Sequence, residues 1–234
     1  MKEQKLGILG GMGPQATQVF YQFVLDRTDA ARDQDHLPAL ILSDTKMPDR
    51  TAAILGGDTE ELYRRLSGDA RLLEQCGCTA VAIPCNTSHY FADRLQGELS
   101  IPIVHMIRET AAALAAQGRK RPGILATDGT IQTGLYQKEC AALGLEAVAP
   151  DAETQKLVMS IIYDEIKQGE RGSREKFAQI DRAIRAAGCD CAILACTELS
   201  VFATYHALPP FYLDAMMVMA ERAVVQCGYP LRMI

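Results

Sequence analysis

Two cysteines stand at the same point of two similar segments. The segment V-A-I-P-C-N-T-S contains Cys85, and the segment A-I-L-A-C-T-E-L contains Cys196. In each, an apolar run typical of a buried strand ends near the cysteine, and polar residues follow. The carboxyl ends of parallel strands are where open α/β sheets bind ligands. We also expect each cysteine to lie near a helix N-terminus, which lowers the pKa of a thiol.

Two such thiols on opposite faces of a small ligand can transfer protons. One thiolate removes a proton from a carbon and the other thiol delivers a proton to the opposite face, which inverts a stereocentre. An α-carbon beside a carboxylate is a weak acid, so preorganised donors must stabilise the developing carbanion. Asn86 and Thr87 follow the first cysteine. Thr197 and Glu198 follow the second, and all four offer groups for the carboxylate and amine of a substrate.

The two cysteine segments belong to a longer internal repeat. Gly77 and Cys78 recur 111 residues later as Gly188 and Cys189, which is also the separation of the two strand-end cysteines. Upstream, the pattern G-I-L-x-x-x-G occurs at 7–13 and again at 123–129, 116 residues later. Because the two offsets differ only by the length of a short loop, the repeat predicts two similar domains.

Apolar strand-like runs alternate with amphipathic helical stretches along the chain. This alternation predicts parallel sheets covered by helices, and with the repeat it predicts two similar α/β domains. We assign residues 1–104 and 211–234 to the first domain, with the final helix returning to it, and residues 105–210 to the second. Strands are predicted at 6–9, 39–42, 80–83, 101–104, 123–125, 192–194 and 211–213, and helices at 16–28, 60–75, 108–116, 131–142, 152–168, 173–187 and 215–227.

Composition restricts the classes of partner and cofactor. The net charge is −5 and no basic tract occurs, which argues against nucleic acid and anionic membranes as partners. No apolar run approaches the ~18 residues of a membrane span and none resembles a signal peptide, so we expect a soluble cytoplasmic protein. The eight cysteines are then expected to be reduced. Neither the cysteine nor the histidine spacing predicts a metal site.

Three other interpretations of these motifs stay open. Gly11, Gly13 and Ala16 match the G-x-G-x-x-A loop of dinucleotide-binding proteins, which would indicate an NAD-dependent oxidoreductase. Cys85 and His89 are four residues apart, a spacing that would suit a cysteine hydrolase. Neither interpretation uses both strand-end cysteines. The third is a duplicated scaffold that binds an amino acid without chemistry.

Five segments occur in order along nearly the whole chain: G-I-L-G-G-M-G-P-Q-A-T (7–17), P-D-R-T (48–51), P-C-N-T-S-H (84–89), L-A-T-D-G-T (125–130) and A-C-T-E (195–198). Together they resemble the cofactor-independent aspartate/glutamate racemases, above all their aspartate racemase branch. The resemblance implies two pseudo-symmetric parallel-sheet α/β domains that face each other across a cleft, a homodimer and no cofactor. It also implies two-base racemisation of aspartate in preference to glutamate. It assigns the catalytic roles to Cys85 and Cys196.

The resemblance also implies substrate contacts. It carries them onto Met12, Asn86, Thr87, Thr127 and Thr197. The aspartate racemase branch further implies that Arg50 and Lys167 hold the side-chain carboxylate, and arginine can do so bidentately. Glu198 stands where the glutamate racemase branch has histidine, which favours the aspartate branch. Asp44 and Asp128 depart from the pattern, and we expect acid near the cleft to repel a dicarboxylate.

Overall fold

The computed structural model describes residues 4–233, in which helices alternate with parallel strands. The strands of this described part are β1 (Leu6–Gly10), β2 (Ala39–Ser43), β3 (Ala80–Ala82), β4 (Ile103–Val104), β5 (Pro122–Leu125), β6 (Cys191–Leu194) and β7 (Tyr212–Asp214). The predicted mixed α/β class with parallel sheets is confirmed.

The helices cover both longer amphipathic stretches and several short segments. The α-helices are α1 (Pro14–Arg27), α2 (Arg50–Gly56), α3 (Glu60–Gln75), α4 (Ala92–Gln96), α5 (Met106–Ala116), α6 (Asp128–Thr133), α7 (Leu135–Ala141), α8 (Ala152–Ser160), α9 (Arg174–Ala186), α10 (Thr197–Tyr205) and α11 (Ala215–Gln226). Single 3-10 turns span Asp33–Asp35, Thr87–Phe91 and Ile166–Gln168, and a π-helical turn spans Ile161–Glu165. No helix within residues 4–233 is both long enough and apolar enough to cross a bilayer.

The chain divides into two compact units. The first consists of Met1–Met106 and Met216–Ile234, and the second of Ile107–Ala215. Residues 105–106, which we assigned to the second domain from the sequence, lie in the first unit, and residues 211–215, which we assigned to the first domain, lie in the second. The reason is that β7 pairs with β6, with Leu213 opposite Ile193. The helix α11 returns to the first unit from Met216 onward.

Each unit is built on a parallel sheet of the same plan. The first sheet has the order β2-β1-β3-β4, and the second has the order β5-β6-β7. Val148 forms a parallel bridge to Gly123 on the outer side of β5, at the place that β2 occupies beside β1. The residues of β1, β3, β5 and β6 are all buried. Such two-faced burial explains their continuous apolar character.

The sequence repeat corresponds to a repeated packing arrangement inside each unit. A Cβ added to Gly7 in β1 would lie 3.2 Å from Leu73 Cβ and 3.2 Å from Cys78 Sγ. A Cβ added to Gly123 in β5 would lie 2.7 Å from Ile184 Cγ2 and 3.4 Å from Cys189 Sγ. In both units a strand glycine therefore makes room for a buried thiol and for an apolar side chain of the helix that precedes this thiol in the chain. The duplicated Gly and Cys positions have a packing reason that is independent of chemistry.

Candidate functional site

Cys85 lies just beyond the carboxyl end of β3 in the first unit. Its side chain is buried, and its backbone N–H donates to the Ile83 carbonyl at 2.7 Å. The chain then enters the 3-10 turn Thr87–Phe91, so the N-terminus beside this thiol belongs to a tight turn that leads into α4. Asn86 and Thr87 are both buried at the start of that turn.

His89 supports the backbone around Cys85. The Met106 N–H can only donate, so His89 Nε2 accepts from it at 3.0 Å. The proton is therefore on Nδ1, which donates to the Cys85 carbonyl at 2.9 Å. Both ring nitrogens of this buried histidine serve the main chain, which gives no support to a hydrolytic pair of Cys85 and His89. The fixed ring holds the carbonyl of Cys85 in place.

Arg50 and Met12 lie together in the first unit. Arg50 begins α2, whose N-cap Asp49 accepts from the Ala52 N–H at 2.8 Å. Its guanidinium donates to the Met12 carbonyl at 3.3 Å and to the Pro48 carbonyl at 3.0 Å. The Met12 sulfur accepts from Ser88 Oγ at 3.3 Å, which connects this group to the turn after Cys85.

The glycine-rich loop after β1 is shaped by the protein's own backbone. Gly11 has φ +91°, and its N–H donates to Thr17 Oγ1 at 2.9 Å. A Cβ at this position would lie 2.4 Å from the carbonyl carbon of Asp44. Contact with the loop after β2 therefore requires this glycine, and the dinucleotide interpretation is no longer needed to explain it.

Asp44 has a cationic partner within the first unit. Both of its carboxylate oxygens accept from the Arg65 guanidinium at 3.2 Å. Burial acts to raise the pKa of Asp44, but the Lys46 backbone N–H and Arg65 outweigh it, so the pKa lies below its ordinary value. Arg65 thus balances the acidic charge that we expected to repel a dicarboxylate.

Cys196 lies just beyond β6 in the second unit, at the N-cap of α10. Its thiol is buried, and Sγ lies 2.8 Å from Glu198 Oε2. Thr197, also buried, places Oγ1 3.4 Å from the same carboxylate oxygen. Glu198, which we predicted to contact the substrate, therefore touches the neighbouring thiol directly.

Lys167 is the cationic partner of Glu198. Its Nζ lies 2.6 Å from Glu198 Oε1 and 5.3 Å from the centre of the Tyr163 ring. The lysine follows the π-helical turn Ile161–Glu165, which widens the helix after α8. No local spacing indicated this pair, because 31 residues separate its members along the chain.

The surroundings of Cys196 favour the neutral thiol. Burial raises the pKa of Cys196 well above its ordinary value, and the Glu198 carboxylate raises it further. Lys167 acts in the opposite direction. Our expectation that the helix N-terminus lowers the pKa of this thiol is therefore wrong, because loss of hydration and a nearby negative charge outweigh the helix dipole.

Thr127 and Asp128 follow β5 in the second unit. Thr127 is the buried N-cap of α6 and accepts from the Thr130 N–H at 3.4 Å. Asp128 Oδ1 accepts from Gln155 Nε2 at 2.8 Å, so a neutral amide holds this carboxylate. Within residues 4–233, no three His, Cys, Asp or Glu side chains cluster closely enough to hold a metal ion.

The chain is similar in sequence to known proteins. The model of the Asp/Glu/Hydantoin racemase family matches residues 9–223. The broad specificity amino-acid racemase RacX of Bacillus subtilis (strain 168) is 33% identical over 150 residues, which are 62% of this chain and 64% of that protein. The glutamate racemase of Latilactobacillus sakei subsp. sakei (strain 23K) is 29% identical over 140 residues, 58% of this chain and 49% of that protein. The matches thus span about half to two thirds of these relatives.

Solved structures resemble the chain over nearly its whole length. The Picrophilus torridus aspartate racemase has a TM-score of 0.84 and 27% identity, covering 98% of this chain and 96% of that one. A glutamate racemase isoform, RacE1 from Bacillus anthracis, has a TM-score of 0.67 at 19% identity and covers 96% of this chain and 82% of that one. The second likeness, at this identity, concerns the fold alone.

Proposed function

Because the chain belongs to the Asp/Glu/Hydantoin racemase family, we propose that it is a cofactor-independent amino-acid racemase with Cys85 and Cys196 as its two acid–base groups. One cysteine, as the thiolate, takes the α-proton of the substrate. The other, as the thiol, gives its proton to the opposite face of the carbanion. The reaction requires that both thiols reach one α-carbon, so we retain the cleft between the domains as part of the proposal.

The observation that carries this proposal is the matched position of the two thiols. Each lies just past the carboxyl end of a buried central strand, β3 in the first unit and β6 in the second, and each precedes a helical turn. The backbone N–H groups of Asn86 and Thr87, and those of Thr197 and Glu198, occupy equivalent places after the two cysteines. We assign Asn86, Thr87, Thr127 and Thr197 to the binding of the substrate carboxylate and amine.

We propose aspartate as the preferred substrate and Arg50 as the residue that holds its side-chain carboxylate. Two backbone carbonyls position the Arg50 guanidinium beside Met12 and the turn after Cys85. A guanidinium stays charged at any working pH and matches a carboxylate in geometry. Lys167, our other sequence-based choice, already pairs with Glu198, so we assign it a different role below. The aspartate racemase from Picrophilus torridus, similar over nearly the whole chain, supports this substrate choice.

Proton NMR in D₂O tests the proposed activity. The reduced protein, without cofactor, is incubated with L-aspartate, D-aspartate or L-glutamate, and with amino acids that carry neutral or cationic side chains. The wider panel is needed because RacX, a relative, is described as a broad specificity amino-acid racemase. We expect the α-proton signal of aspartate to disappear while chiral chromatography detects the opposite enantiomer.

One control variant and two refuting outcomes make the result decisive. The double variant Cys85→Ala, Cys196→Ala, purified in the same way, measures any contaminating racemase. Absence of exchange with every amino acid of the panel would refute the racemase proposal and leave binding without chemistry, which calorimetry with aspartate would then detect. We further propose a homodimer, and sedimentation of the purified protein at the mass of one chain would refute that part alone.

A further inference from the structure

Glu198 lies between a thiol and an ammonium group in the second unit. One carboxylate oxygen, Oε2, is 2.8 Å from Cys196 Sγ, and the other, Oε1, is 2.6 Å from Lys167 Nζ. The exposed fractions of the two charged side chains are 6% for Glu198 and 21% for Lys167. Because a carboxylate has no proton to give, the short contact with sulfur requires the thiol to be the donor.

We propose that Glu198 is the proton acceptor of Cys196 and that Lys167 balances the charge of that carboxylate, so that neither residue is reserved for the substrate. This inference rests on the proposed racemase function for its catalytic consequence. Glu198 touches the reacting sulfur and is a catalytic residue in this scheme. Lys167 acts through Glu198 and is a positioning residue.

The proposed step conserves protons. When Cys196 must act as the base, its S–H bond breaks and an O–H bond forms at Glu198 Oε2. The resulting thiolate then takes the α-proton of the substrate, which breaks a C–H bond and forms an S–H bond. When Cys196 acts as the acid, it starts as the thiol beside the protonated Glu198 that the base step leaves behind. Its S–H bond breaks as the proton passes to the carbanion, and the Glu198 O–H proton then moves to the new thiolate, which restores the thiol and the carboxylate.

The other ionisable groups near Cys196 do not compete for this role. Burial is the main cause that raises the pKa of Tyr136 on α7. Tyr136 also lies near enough to Cys196 and to Asp214 of β7 for their charges to raise this pKa, so its hydroxyl stays neutral. Asp214 accepts from Ser200 Oγ at 2.7 Å. Of the groups that the described second unit brings near the thiol, Glu198 is thus the carboxylate in direct contact with it.

The thermodynamics of racemisation determines which measurements are informative. Two enantiomers have equal free energies, so the ratio kcat/KM must be the same in both directions for any variant. A change at Glu198 must therefore lower kcat/KM equally for L- and D-substrate. The protonation of Cys196, in contrast, can be measured without substrate and does not depend on whether racemisation occurs.

The test is the pH dependence of Cys196 alkylation by iodoacetamide, followed by mass spectrometry of the peptide that contains it. The midpoint is the pH at which alkylation of Cys196 reaches half its maximal rate. In Glu198→Gln the negative charge beside the thiol is lost, so we expect this midpoint to fall by about 1–3 pH units. In Lys167→Met a positive charge is lost, so we expect the midpoint to rise, and Lys167→Arg should restore it. In Glu198→Gln, kcat/KM should fall about 100-fold or more for both enantiomers, because the internal acceptor is gone.

A second lysine–glutamate pair in the same unit supplies the matched control. Lys176 Nζ lies 2.5 Å from Glu165 Oε1, without a thiol in contact, and Lys176→Met should leave the Cys196 midpoint at its wild-type value. If Glu198→Gln does not fold, the raised midpoint in Lys167→Met and its return in Lys167→Arg still test whether Lys167, Glu198 and Cys196 are coupled.

The possible outcomes separate this inference from the proposed function. Unchanged midpoints in both the Glu198 and Lys167 variants would overturn the inference even if the wild-type protein racemises. A lowered midpoint in Glu198→Gln with undiminished kcat/KM would overturn the acceptor role. If the variants show shifted midpoints but the wild-type protein racemises no amino acid, the coupling of these three groups is supported and the racemase proposal is refuted.

Discussion

Replacing Gly11 with alanine tests whether contact between two loops of the first unit shapes the loop after β1. Gly11 has φ +91°, and an added Cβ would lie 2.4 Å from the carbonyl carbon of Asp44 and 2.5 Å from its nitrogen and oxygen. Real Cβ atoms essentially never approach other atoms within 3.0 Å, so something must move. Backbone atoms cannot rotate away as the end of a side chain can, and the loop after β2 must shift as a whole.

The expected cost has two parts. A positive φ costs a residue with a Cβ about 1–2 kcal/mol relative to glycine, and overpacking adds about 1–3 kcal/mol. The free energy of unfolding should therefore fall by about 2–5 kcal/mol in Gly11→Ala. Gly57→Ala is the matched control, because Gly57 has φ +76° but an added Cβ there would have nothing within 4 Å. Gly57→Ala should lose only the free energy due to the positive φ. The contact with Asp44 therefore accounts for a difference of about 1–3 kcal/mol between the two variants.

Urea unfolding followed by circular dichroism measures both variants, with the free energy difference taken from the midpoint and slope of each curve. Gly11 directly precedes Met12, whose carbonyl accepts from Arg50. We therefore also expect a higher KM for aspartate in Gly11→Ala and an unchanged one in Gly57→Ala. Equal destabilisation of the two variants would refute the loop contact as the reason for glycine at this position.

Three further experiments test the catalytic and electrostatic assignments. Cys85→Ala and Cys196→Ala should each abolish racemisation while each still exchanges the α-proton of one enantiomer, and wild-type racemisation by either would contradict the two-base mechanism. Arg50→Ala should raise KM for aspartate about 10–100-fold, as expected for a charged hydrogen bond, with little effect on alanine as substrate; equal effects would exclude a carboxylate role. Glu98→Gln should reduce the acid sensitivity of unfolding, since hydrogen bonding by Ser67 lowers the pKa of Glu98 from 4.5 to about 2. That stabilisation is present above about pH 4.5 and is lost as the pH falls towards 2, so identical losses of stability between pH 6 and pH 3 in wild type and variant would contradict it.

The buried strands were the most predictable elements of the fold. Strands β1, β3, β5 and β6 are continuous apolar runs, and burial on both faces produces that local signal. The predicted range 60–75 coincides with α3, whose apolar positions repeat with the helical period. In contrast, α2 has only seven residues, too few for a clear period, and its local signs are limited to the N-cap Asp49 and the C-cap Gly57. The helix predicted at 131–142 is divided into α6 and α7 at Gly134, which has φ +65°.

The sequence by itself determined the positions of the two cysteines relative to their strands. Position along a strand is a local property, since it depends on where an apolar run ends and a polar turn begins. The repeat of Gly and Cys was also visible in the sequence, as matching motifs at a fixed offset. Its packing reason was not, because Gly7 and Cys78, like Gly123 and Cys189, are far apart along the chain and only the fold brings them into contact.

Only the tertiary structure decided the charge state and the partners of the site residues. The pairs Lys167–Glu198 and Arg65–Asp44 join residues 31 and 21 positions apart, and no periodicity records them. The sign of the pKa shift at Cys196 depends on burial and on the distance to Glu198, which together outweigh the helix N-terminus that the sequence correctly indicated. Desolvation and Coulomb energies depend on distances through space and on exclusion of water, and these are known only once the chain is folded.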